Sequence, residues 1–265
     1  MKVSAALTFQ LQLALALITA AFMIVPVIVS VLAGVTENYF IGWRSGLTLR
    51  WVATVWELYQ PTVWLSLRIA IACVVLTALI GLPAAYVLSR HSNRGTRLLE
   101  ELLVLPVAVP GLATALALIL TYGRWQALRT SWLFILIGHV LFTLPFMTRA
   151  CLAVLSAIDL NTLEEAAATL GAGFAERFRT VVVPNALPGI VAGALTVLTL
   201  SVGEFNLTWM LHTPLTQTLP VGLADSYASM RLEIASAYTL IFLLMLLPLL
   251  LAVQIVARRL VVNGR

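Results

Sequence analysis

The chain has 265 residues, of which 61% are hydrophobic and 10% charged, with a formal net charge of +5 and a mean hydropathy of +1.02. A soluble domain carries about 25% charged residues, so a soluble globular enzyme is excluded, and so is a disordered chain, which needs low hydrophobicity. The apolar runs are continuous rather than alternating, which argues against a β-barrel and for an all-α polytopic membrane protein.

Taken in chain order, uncharged runs of the length a bilayer requires, about 20 residues, predict six transmembrane helices. The first covers residues 11–35. Lys2 precedes it, but the run is longer than the roughly 7–15 residues of a signal-peptide core. The second covers 63–88, with Arg68 near its outer end. The third, 102–122, contains Pro106, Pro110 and Gly111, residues that kink a helix. The fourth, 132–155, carries His139 and Arg149. The fifth, 187–210, carries Glu204, and the sixth covers 234–257.

Six spans put both termini on one side. With cytoplasmic ends, ten basic residues fall inside (Lys2, Arg90, Arg94, Arg97, Arg149, Arg177, Arg179, Arg258, Arg259, Arg265) and six outside (Arg44, Arg50, Arg68, Arg124, Arg129, Arg231). That is the sense of the positive-inside rule. The net charge therefore reflects membrane orientation, and no nucleic-acid partner is expected. Cys73 and Cys151 lie in apolar runs without a CxxC pattern, so neither a disulfide framework nor a metal site is indicated.

Between the fourth and fifth spans, residues 156–186 read as structure rather than linker. Thr162 with Glu165 has the spacing of a capping box. Ala166, Ala167 and Ala168 extend a helix at the highest propensity, and Gly171 supplies a left-handed stop. A second short helix is predicted over 174–182, ending before Pro184. The outcome is a helix–glycine–helix elbow. Glu164 and Glu165 offer anchors to a basic partner, and Leu163, Leu170, Phe174 and Phe178 supply an apolar underside.

The order Glu165-Ala166-Ala167, three residues, Gly171, nine residues, Val181-Val182-Val183-Pro184 resembles the EAA loop of ATP-binding-cassette (ABC) importer permeases. The family pattern ends I-x-L-P, so Val181 and Val183 are conservative departures. The resemblance spans nearly the whole chain. It implies a single MetI-like permease domain over residues 1–265 of a bacterial inner-membrane protein, with 156–186 as the cytoplasmic coupling loop. In that family the elbow docks on a separate ATPase subunit, so Glu164, Glu165, Ala166, Ala167, Gly171 and Pro184 are the implied coupling residues. It further implies a second permease subunit (a heterodimer before a homodimer) and a periplasmic solute-binding protein. Residues 46–51, 201–206 and 218–223 resemble the subgroup of spermidine/putrescine, 2-aminoethylphosphonate, ferric-iron and thiamine permeases.

A phosphate-binding loop needs a lysine after a glycine-rich run. The only lysine is Lys2, so the chain is expected to be a non-catalytic transport subunit without a cofactor. A carboxylate within a span faces a cavity or a partner. Glu204, with Asn206 beside it, is thus a candidate for the translocation path. The competing reading makes Glu204 a packing group, with Arg68, Asn206 or Arg231 as partner. His139 has no second ligand at helical spacing, which points to an inter-helix hydrogen bond. Arg68 and Arg149 are expected to snorkel toward the two interfaces. The alternative function is an ion-coupled secondary transporter using Glu204. Six spans, the elbow and the lack of paired broken helices argue against it.

Overall fold

The computed structural model describes the backbone of residues 2–91 and 93–263, and the side chains of 8–91 and 93–255. The side chains of Lys2, Arg258 and Arg259, and the whole of Arg265, which enter the charge count, lie outside the described residues.

The described chain is built from helices: α1 (Lys2–Ala33), α2 (Arg50–Arg90), α3 (Arg94–Ala108), α4 (Gly111–Tyr122), α5 (Gln126–Arg129), α6 (Trp132–Leu155), α7 (Leu160–Thr169), α8 (Phe174–Arg177), α9 (Val183–Gly203), α10 (Asn206–Leu211), α11 (Leu219–Ala228) and α12 (Leu232–Asn263). Among the described residues, five helical stretches are long and apolar enough to cross a bilayer: Thr8–Ala33, Arg50–Arg90, Trp132–Leu155, Phe174–Gly203 and Leu232–Ile255. The pair α3 and α4 makes a sixth if it counts as one broken span.

Three sequence expectations are corrected. The third span is not one helix, because α3 and α4 meet at 101°. Val109 is extended (ψ 132°), as the residue before a proline is pushed to be, and α4 restarts at Gly111 after Pro110. The fifth span does not reach 210: it breaks at Glu204, which is extended (ψ 121°), and α10 begins at Asn206. The second elbow helix does not stop before Pro184. It runs from α8 through a π-helical turn, Phe178–Val182, into α9. Pro184 closely follows the π-turn, a local adjustment of the kind that re-satisfies the backbone around a proline in a membrane helix. Asn185 donates its side-chain amide to the Val181 carbonyl at 2.7 Å.

The chain divides into two compact units, Met1–Gln60 with Gly222–Leu243, and Pro61–Val221 with Leu244–Arg265. In the first unit, α1 turns Leu15, Ile18, Phe22 and Met23 outward, as a lipid-facing helix does. After it, Thr36 and Leu47 pair across a hairpin. Tyr39 donates its amide to Glu233 at 2.9 Å, and Arg231 donates to the Tyr59 hydroxyl at 2.7 Å.

The second unit holds the larger core, with Phe134, Ile135, Met147, Cys151, Leu155, Leu207 and Leu211 buried. Its centre is the pairing of α6 with α9. Gly189 makes that pairing close: a Cβ there would lie 2.6 Å from the Ala150 carbonyl oxygen. Small residues at helix interfaces in a membrane allow backbones to approach in this way.

Candidate coupling site

The elbow begins at Asp159, not Thr162. The Asp159 carboxylate accepts the Thr162 amide at 3.2 Å and the Thr162 hydroxyl at 2.7 Å, so Asp159 is the cap and Thr162 lies in the first turn of α7. Those bonds hold the Asp159 carboxyl below the usual aspartate range. The expected capping box from Thr162 to Glu165 is therefore replaced by a side-chain cap from Asp159, three residues earlier. An Asp directly before Leu160, three residues ahead of a Thr, was the signal available in the sequence. Gly171 takes the left-handed conformation (φ +88°) that only glycine adopts cheaply. It ends α7 as expected.

The two adjacent glutamates of the elbow have opposite fates. Glu165 is exposed. Glu164 is buried at 1% side-chain exposure, and its carboxylate meets Arg90 Nη1 at 2.9 Å. The Tyr86 hydroxyl donates to the same carboxylate at 3.0 and 3.2 Å. The expectation that both glutamates face a partner is thus corrected for Glu164, because Arg90 and Tyr86 already satisfy its charge inside the chain. Neither residue was singled out for this role from sequence. Their pairing with Glu164 joins positions 78 apart for Tyr86, which no local pattern reveals.

The apolar underside also differs. Leu160 is buried beneath α7, and Phe178 packs edge-on to Tyr86 at 5.6 Å. Leu170, Phe174 and Leu163 instead face outward, at 89%, 61% and 43% exposure. Ala166 is exposed and Ala167 half-buried. Pro184 is exposed at the start of α9.

Glu204 forms a separate constellation. Its two carboxylate oxygens accept the amides of Leu207 and Thr208, each at 2.9 Å, so it caps α10 at a helix N-terminus, where negative charge is favoured. The Thr208 hydroxyl lies 3.1 Å from the same carboxylate and 2.8 Å from His139 Nε2. His139 Nδ1 is 2.8 Å from the Ser201 hydroxyl. The expected partners Arg68 and Asn206 are not the groups the carboxylate touches; Arg68 stands over the Trp132 ring at 5.9 Å, and Arg231 is engaged within the first unit by Tyr59 and Asp225. His139 has the inter-helix bonds the sequence suggested. Asn206 is exposed at the start of α10, whereas the Glu204 side chain is 8% exposed. Arg149 is exposed and lines a shallow pocket with Val104, Val107, Pro145, Phe146 and Thr196.

Comparison with known proteins places this arrangement. Molybdenum transport system permease protein ModB of Escherichia coli (strain K12) is 32% identical over 158 residues, 55% of this chain and 69% of that protein. Sulfate transport system permease protein CysW of Synechocystis is 29% identical over 218 residues, 76% and 78% respectively. Spermidine/putrescine transport system permease protein PotC of Escherichia coli (strain K12) is 25% identical over 252 residues, 90% of each chain. Among solved structures, a chain of a bacterial ABC transporter involved in the import of the acidic polysaccharide alginate superposes with a TM-score of 0.72 at 15% identity, covering 96% of this chain and 95% of that one. A chain of the MetNI methionine ABC transporter gives 0.63 at 20% identity, covering 80% and 98%. These structures share the fold. Residues 77–262, which hold the elbow, its buried glutamate and the α9–α10 break, match the family described as binding-protein-dependent transport system inner membrane component. The chain belongs to that family and is a multi-pass inner-membrane permease subunit of an ABC importer for a small solute.

Proposed function

We propose that residues 156–186 are the coupling segment of a single permease domain, through which a separate ATPase drives transport. The observation that carries this reading is the outward face of the elbow. Leu170 and Phe174 stand exposed beside Glu165 and Ala166, in a chain whose only lysine, Lys2, cannot form a phosphate-binding loop. Apolar anchors rimmed by a charge are what a protein partner's groove recognises. Glu165, Ala166 and Ala167 form the contact, Gly171 sets the angle between the arms, and Pro184 marks where the segment enters the bilayer. Glu164 supports the contact from beneath. The termini are cytoplasmic.

Two permease subunits, preferably different, enclose the path. Two ATPases close on ATP and move the docked elbows, and the spans rock between inward- and outward-facing states. A periplasmic binding protein delivers the solute; a relative of known structure was solved with an alginate pentasaccharide-bound periplasmic protein. The solute is small and polar, of the polyamine, aminophosphonate or ferric-iron class. The relative named for spermidine/putrescine supports a polyamine, and those named for molybdenum and sulfate widen the range to oxyanions. Asn206 remains a candidate for the path lining. Ion-coupled transport through Glu204 lacks support, since that carboxylate is occupied by two amides and a hydroxyl.

The test is uptake into vesicles holding this chain with its neighbouring permease, ATPase and binding protein. Uptake should need internal ATP and the ATPase. Uptake sustained by a proton gradient without the ATPase would refute the assignment.

A further inference from the structure

We propose that Glu164 is a strut that locks the elbow helix α7 to the end of α2, so that the two move as one body when the elbow is displaced. The proposal rests on the reading of residues 156–186 as the coupling segment, and adds how a push there enters the membrane part.

Along the chain, α7 is joined to α6 by residues 156–159 and to α8 by residues 170–173, which include Gly171 and Gly173. The 170–173 link carries two glycines, whose backbone is the least restricted of any residue, so the chain alone is a compliant route for a displacement there. The side chains close a third route. Arg90 Nη1 lies 2.9 Å from Glu164 Oε2 and donates to the Tyr86 hydroxyl at 2.8 Å. Tyr86 in turn donates to both Glu164 oxygens. The ring of Tyr86 meets Phe178 at 5.6 Å and Phe174 at 6.2 Å. One residue of α2 therefore touches both arms of the elbow, α7 through its hydroxyl and the α8 arm through its ring.

Burial makes this contact rigid. An exposed ion pair exchanges its partners for water at little cost. Glu164 cannot, because sliding α7 past α2 would leave a desolvated carboxylate without its guanidinium. The neighbouring Glu165 carries no such restraint, and it is the glutamate left on the surface. The pair divides the work: Glu165 meets the motor, and Glu164 transmits its stroke to α2. Glu164 is in this sense a positioning residue for transport.

The experiment uses the assembled complex with spin labels at Thr169→Cys on α7 and His91→Cys after α2, both exposed positions, with the buried Cys73 and Cys151 replaced by alanine. The label-to-label distance is measured without nucleotide and with ATP trapped. In the otherwise unaltered chain it should shift by no more than about 2 Å, the scale of a helix adjustment, rather than the roughly 5 Å of a one-turn ratchet. In Glu164→Ala the distribution should broaden. The ATPase should still co-purify and hydrolyse ATP, while transport per ATP falls roughly tenfold, within the usual range for a lost coupling between sites. Arg90→Ala should behave alike, and the double variant no worse than either single one, as members of one unit do. A one-turn change of the Thr169–His91 distance in the unaltered chain overturns the strut. So does full transport by Glu164→Ala, or loss of ATPase capture in Glu164→Ala but not in Arg90→Ala, which would make Glu164 a docking anchor. Failure of the coupling reading looks different: the unaltered permease would then capture no ATPase although the distance holds.

Discussion

The Nε2 of His139 lies 3.8 Å from a carboxylate oxygen of Glu204, and the hydroxyl of Thr208 bridges them at 2.8 and 3.1 Å. Thr208 donates its hydroxyl to the Glu204 carboxylate, His139 Nε2 meets the same hydroxyl, and Ser201 meets Nδ1 at 2.8 Å. His139 thus ties α6 to the end of α9 and to α10 across the break at Glu204. The cap matters because an open start of α10 in an apolar setting would leave the Leu207 and Thr208 amides unpaired.

Glu204→Gln tests that role. Glutamine keeps one acceptor oxygen and loses the other, so one of the Leu207 and Thr208 amides loses its partner. The variant should lose about 1 kcal/mol, the usual value of a helix cap, read as a lower thermal midpoint in detergent or nanodiscs. Solute preference should not change. Selective loss of cationic solutes would instead make Glu204 a path residue.

Glu165→Lys tests the docking face. Glu165 is exposed, and its charge assists Arg90 only as the smallest of several influences, so charge reversal should leave membrane insertion intact and thermal stability little changed. ATPase subunits should be lost from the affinity-purified complex. Undiminished co-purification and transport would remove Glu165 from the contact.

Gly189→Val tests the close approach of α6 and α9. The added Cβ would meet the Ala150 carbonyl oxygen at 2.6 Å and the Cys151 Cα at 2.9 Å. Both are backbone atoms that cannot step aside, so the helices must part at a cost of about 1–3 kcal/mol, typical of overpacking. Gly203→Ala is the matched control, since a Cβ there has no heavy atom within 4 Å. Comparable yields and midpoints for the two variants would show that α6 and α9 do not touch at Gly189.

The cap of α7 gives a pH dependence. The Thr162 hydroxyl and amide lower the Asp159 pKa in the folded chain. A lowered carboxylate pKa contributes stability that is present above the unfolded value, near 4, and is lost as pH falls through the folded value. Elbow docking should therefore be insensitive to Asp159 between about pH 5 and 8. Below about pH 4 the first turn of α7 should fray. Amide exchange of residues 160–163, corrected for intrinsic rates, reports this. Asp159→Asn, which keeps an acceptor oxygen, should remove the acid step, whereas a step that survives the substitution would assign it to another carboxyl.

The sequence by itself determined the membrane setting, the number of apolar runs, and the place and glycine pivot of the elbow. These follow from composition and spacing along the chain. Hydrocarbon admits few charges, a span needs a certain length, and a glycine placed after an alanine-rich run can take the left-handed conformation that ends a helix, as Gly171 does. Local structure departs from the sequence expectation where two signals compete: Asp159 takes the cap in place of Thr162, and Pro184 lies within a continuing helix, just after its π-turn, rather than ending one. Tertiary structure alone decided which of two adjacent glutamates is buried, and what an intramembrane carboxylate touches. Glu164 finds Tyr86 and Arg90, and Glu204 finds the amides beyond a break in its own span with His139 behind them. A charge in an apolar environment must be satisfied by whatever group the fold brings within reach, and that group need not be near in sequence.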